Sequence, residues 1–125
     1  MTGIPDGLLQ LTVVVVRPVE STDAHNSTTL DYAAGTRTTL APGTVNGGAW
    51  LQQDSRSETR PDGRTPAEQA WLLICNYADI RHRDRIEWAS HPAGPVVFEV
   101  EGPPEPALTP GEFHHTEATL RIVDG

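Results

Sequence analysis

The chain has 125 residues and a formal net charge of −8, enough for one domain with one modest core. An acidic chain repels nucleic acid, which excludes a protein that wraps the DNA backbone over a broad surface. No apolar run is long enough to cross a bilayer, and the single cysteine, Cys75, excludes an intrachain disulfide.

The predicted elements are nearly all strands. Residues 9–18, LQLTVVVVRP, are continuous and β-branched, as in a strand covered on both faces, and Pro18 should end it. Residues 20–29 are polar and turn-rich and read as a loop. Residues 30–40 suit a second strand, interrupted near Gly35. Residues 41–53 place glycines around short β-type segments, which suggests a bent or bulged strand. Residues 54–66, DSRSETRPDGRTP, form a long charged loop punctuated by proline and glycine.

The apolar stretch EQAWLLICNYADI, residues 68–80, suits a central strand, with a short helix as the rival reading. Within residues 78–88, ADIRHRDRIEW, period two puts Ile80, His82, Asp84, Ile86 and Trp88 on one face. Arg81, Arg83, Arg85 and Glu87 then form a wet row on the other. After the turn HPAGP, residues 96–102 alternate cleanly, with Val96, Phe98 and Val100 inward. Residues 103–111 are a proline loop. In the last strand His114, Thr116, Ala118, Leu120 and Ile122 share one face, opposite His115, Glu117, Thr119, Arg121 and Val123. Six or seven short strands with turns between them imply an all-β fold, a small single-domain β-barrel or a sandwich.

All nine basic residues are arginine, and they cluster: Arg56, Arg60, Arg64, Arg81, Arg83 and Arg85 lie in the middle third. The final third is acidic, with Glu87, Glu99, Glu101, Glu105, Glu112, Glu117 and Asp124 against Arg121 alone. Such polarity suits a protein that docks copies of itself, or two partners, by opposite faces. The N-terminal residues have neither a positive start nor a long apolar stretch, so no secretory leader is expected.

Catalytic signals are weak. His115 and Glu117 share a strand face and suit a divalent ion, but His114 points the other way, so only one of the pair can join a site. Cys75 sits in WLLICNY, where a buried thiol is inert. Glu99 and Glu101 are a carboxylate pair without pocket-forming neighbours. The chain has no phosphate loop, nucleophile elbow or zinc knuckle. Asp84, on an apolar row, must be paired or hydrogen-bonded if buried. It is expected to accept turn amides or an arginine and to fix the start of its strand. In residues 54–68 the arginines alternate with Asp54, Glu58 and Asp62. A loop so long in so small a domain is uncommon unless it does something.

In order, these features resemble the head-closure or head-to-tail stopper proteins of long-tailed phages, above all those infecting actinobacteria. The matching residues are Ser57 and Glu58, Trp71, Asp79 and Ile80, Asp84 to Ile86, Val100 to Pro103, and Leu120 to Gly125. The match runs from about Trp50 onward. The HPAG turn and the double histidine depart from the pattern.

The resemblance implies a small β-barrel that assembles with copies of itself as a hexameric or dodecameric ring. It would sit in the virion neck, assembled in the host cytoplasm, with adaptor and portal on one side and tail terminator or tail tube on the other. The loop at 54–68 would then enter the channel. Arg56, Glu58, Arg60, Asp62 and Arg64 would form gating and subunit contacts and meet the packaged DNA end. No catalytic residue, cofactor, metal or membrane contact is expected. The alternatives are a tail-side protein such as a tail terminator, and a small metal-dependent β-barrel enzyme using His115 and Glu117.

Overall fold

A computed structural model of the chain describes residues 3–53 and 70–124. After a short 3-10 turn at Asp6–Leu8, the strands are β1 (Val13–Thr22), β2 (Thr28–Leu40), β3 (Ala49–Gln53), β4 (Ala70–Cys75), β5 (Arg85–Trp88), β6 (Val96–Val100), β7 (Glu105–Thr109) and β8 (Glu112–Asp124). They form one sheet in the order β2-β1-β5-β6-β8-β4-β3, with β7 paired to the first half of β8. Among the described residues all seven strand pairings are antiparallel.

Alternation builds the interior. Val96, Phe98 and Val100 of β6 point into the core with Ile86 and Trp88 of β5, and Thr116, Ala118 and Leu120 of β8 are buried beside them. Val13 and Val15 from β1 meet Ala49 and Leu51 from β3 in the same apolar cluster. Strands from both ends of the order therefore share one core, and the sheet curls over it.

The sheet is nevertheless not closed, which corrects the expected barrel. β2 and β3 are its two ends. The contact that approaches closure is one isolated bridge, Leu11 with Ala49, made of two backbone hydrogen bonds of 2.9 Å. Gly48 makes this approach possible, because a Cβ there would lie 2.1 Å from the Leu9 carbonyl oxygen. Beyond that bridge β1 and β3 do not pair, and from its buried end at Leu40 β2 follows β1 outward as a ribbon.

That ribbon overturns two expectations. Pro18 does not end β1, which runs on to Thr22. Arg17 pairs with Thr36 but Val19 pairs with Asp31, so residues 32–35 bulge opposite Pro18. A residue without an N–H is tolerated at a bulge, where the ladder is already interrupted. The polar stretch at 20–29 is the tip of this hairpin, turned over Asp23, whose carboxylate accepts the His25 and Ser27 amides. The proline loop at 103–111 also contains a strand, β7. Its Pro106 is accommodated because, among the described residues, β7 pairs β8 alone and so lies at an edge.

Candidate functional site

The arginine row is where the sequence reading and the structure differ most. Strand geometry begins only at Arg85, and Arg83 has a φ of 79°, in the left-handed region. Residues 81–84 are a turn, closed by the Asp84 amide donating to the Arg81 carbonyl at 3.1 Å. The strict alternation across 80–88 fails there: Ile80, Asp84, Ile86 and Trp88 are buried, but His82 is exposed.

Asp84 is the centre of this turn. Its side chain is 1% exposed. One carboxylate oxygen accepts Arg17 Nε at 3.2 Å. The other accepts Arg17 Nη2 at 3.0 Å and the Arg81 amide at 2.9 Å. Its carbonyl accepts the Val100 amide at 3.0 Å, which ties the turn to the end of β6. Two-pronged pairing with a guanidinium suits a buried carboxylate, because it offers donors to both oxygens.

Arg17 also donates through Nη1 to the Asp79 carboxylate at 3.1 Å and through Nη2 to the Asp79 carbonyl at 2.7 Å. Arg81 Nε meets the same carboxylate at 2.9 Å. These two guanidiniums, Arg17 first, hold the Asp79 carboxyl below its ordinary range. The hydrogen bond to Asp84, with a smaller one to Asp79, pushes Arg17 further above its already high value. Arg83 pairs with Glu20 at 2.8 Å, and the Tyr32 hydroxyl donates to the Arg83 carbonyl at 2.6 Å. A cleft of about 320 Å³ opens here, lined by Arg17, Glu20 and residues 81–84. The cleft's three arginines, Arg17, Arg81 and Arg83, are each matched by a carboxylate of the same chain, so this cleft does not present free cations to phosphate.

The double histidine lies on β8 beside β7. Pairing shifts register between Ala107 and Leu108, leaving His114 unmatched between Phe113 and His115. The bulge lets neighbouring rings meet despite the alternation that should separate them: the two Nδ1 atoms are 2.7 Å apart. His115 Nε2 lies 2.9 Å from Glu117 Oε2. In the tautomer where His115 donates from Nε2 to Glu117, its Nδ1 accepts from His114. The result is a directed chain from His114 to Glu117. Among the described residues no group of three or more His, Cys, Asp or Glu side chains is placed to hold a metal ion.

Cys75 is fully buried, and its thiol lies 3.5 Å from the Tyr77 carbonyl. Burial pushes its pKa up to about 11, so it stays protonated at neutral pH. Arg56, Glu58, Arg60, Asp62 and Arg64, singled out for channel and subunit contacts, lie outside the described residues. Sequence reasoning missed Arg17 and Tyr32. The signal for Arg17 was a cation ending a valine run, which needs a buried acid nearby; Tyr32 carried no signal.

The fold and this site define an all-β antiparallel protein whose charged turn residues are largely engaged with one another. No protein-family model matches the chain, and no curated protein matches it.

Proposed function

We propose that this chain is a structural component of a phage head-to-tail connector, a stopper that forms a ring of its own copies below portal and adaptor. In this role it closes the DNA-filled head and offers the tail a surface. The reading rests on the ordered resemblance from Trp50 onward, and the geometry that carries it is the β1–β2 ribbon. Beyond the Pro18 bulge this ribbon leaves the core: Val19 to Thr22 and Thr28 to Thr29 are exposed, with Val19 at 48%. A hairpin that buries so little within its own chain suits a neighbour that will cover it. Its base is held to the body by Glu20 with Arg83 and by Tyr32 with the Arg83 carbonyl, so the arm is presented in a set direction.

The acidic surface fits the same role. A stopper meets DNA only at the channel, so broad affinity for phosphate would be a hindrance. No described helix is long and apolar enough to cross a membrane.

The test is electron microscopy of particles made with and without this chain. A ring of density in the neck, lost together with DNA retention and tail joining when the chain is omitted, is the expected result. Density on the tail side of that ring would assign the chain as a tail terminator. Normal tailed, DNA-filled particles without the chain would end the connector reading.

A further inference from the structure

Arg85 differs from the other arginines of the described residues. Arg17, Arg37, Arg81, Arg83 and Arg121 each hold an ion pair with a carboxylate of this chain. Arg85 holds none among the described residues. Its guanidinium lies over the Tyr32 ring, 3.8 Å from the centroid, and its Nε is buried without a hydrogen-bond partner. Apart from the Tyr32 side chain, this half-buried guanidinium has no ion-pair partner among the described residues, and a carboxylate is its best-matched one.

Arg85 lines a cleft of about 230 Å³ with Val16, Tyr32, Arg37, Val97 and Val123. Glu87 is there too, but it is engaged by Arg37. Glu99, opposite Arg85 in register, pairs with Arg121. The cleft is therefore a cationic spot with apolar walls on an acidic chain.

The complementary group is also on this chain. The β7–β8 hairpin carries Glu105 and Glu112, both exposed and without an ion pair among the described residues. Beside them Leu108 is 68% exposed, an apolar neighbour for the valines of the cleft. The hairpin cannot serve its own cleft. Glu112 begins β8 and Glu105 pairs opposite Glu117, whereas Val123 lies near the end of β8, so at strand rise the two glutamates stand roughly 36 Å and roughly 20 Å from it. The contact must therefore join two copies, and it is head-to-tail, which generates a ring if the rotation closes.

We propose that Arg85 in the Tyr32 cleft receives a glutamate of the β7–β8 hairpin, Glu105 or Glu112, from a second copy of this chain. This deepens the ring reading above and shares with it the premise that copies meet.

The test is sedimentation velocity of the full chain across concentration and salt. The wild-type chain should self-associate, less so as salt rises. Arg85→Gln, and separately the double variant Glu105→Gln with Glu112→Gln, should each weaken association roughly thirtyfold or more. The double variant lies on exposed positions, so its folding is not at stake. Mixing the two variants leaves one intact cleft and one intact hairpin. It should give one-to-one dimers and nothing larger, because a head-to-tail chain then stops at two. A wild-type chain that stays monomeric, or Arg85→Gln that associates as well as wild type, overturns the contact. A chain absent from particle necks whose association still depends on Arg85 would sink the connector reading and leave this contact standing.

Discussion

Arg17 reaches from β1 to the Asp84 carboxylate, 67 residues away in sequence, and grips it through Nε at 3.2 Å and Nη2 at 3.0 Å. Asp84 is buried and Arg17 is partly open to solvent, so the acid depends on the pair more than the base does. Asp84→Ala should cost about 3 kcal/mol, because it strands Arg17 and frees the Arg81 amide. Arg83→Ala, which removes an exposed pair with Glu20, should cost under about 1 kcal/mol. Urea unfolding of both variants checks the contrast, and equal losses would show that Asp84 does not hold the turn.

Asp79 gives the turn a dependence on pH. Its carboxyl is held below the ordinary value of 3.8 by Arg17 and Arg81. A group depressed in the folded state contributes stability above its unfolded value and loses it as pH falls through the folded one. Wild type should therefore exceed Asp79→Asn in urea midpoint at about pH 6, with the gap closing below about pH 4. A constant gap across that range would mean that the effect of Asp79 is not electrostatic.

Leu120 is fully buried between Val100 on β6 and Trp71 on β4. Leu120→Ala should cost roughly 2–5 kcal/mol through lost burial and the cavity left behind. Glu99→Ala, on the outer face of β6, removes one 3.6 Å ion pair with Arg121 and should cost less than about 1 kcal/mol. Chemical denaturation curves separate the two, and similar losses would place Leu120 outside the core.

Gly35 packs where the ribbon bulges. A Cβ there would stand 1.9 Å from the Arg17 carbonyl oxygen, with backbone on both sides of the clash. Gly35→Ala must move β1 or β2 and should cost more than about 2 kcal/mol. Gly7→Ala, with nothing within 4 Å of its Cβ, should be near neutral. Thermal melts compare them, and a neutral Gly35→Ala would show that the bulge is free to shift.

Period two is a local property, and the chain carries it openly where one face is dry. Val96, Phe98 and Val100 on β6, and Thr116, Ala118 and Leu120 on β8, lie buried as their alternation implies. The strand at β4 follows from its β-branched and aromatic residues. The acid on an apolar row at Asp84 announced a need for partners. What the pattern could not carry was the identity of those partners, since Arg17 and Asp84 meet only after β1 pairs with β5. The outer part of the ribbon, residues 19–22 and 28–29, and β7 escaped because cross-strand hydrogen bonds leave no apolar rhythm. The meeting of His114 and His115 depends on a bulge, and Arg83 on a positive φ; both break alternation at a single residue. Closure was likewise decided in three dimensions: the chain before β1 meets β3 at the single bridge of Leu11 with Ala49, so the sheet curls and stays open.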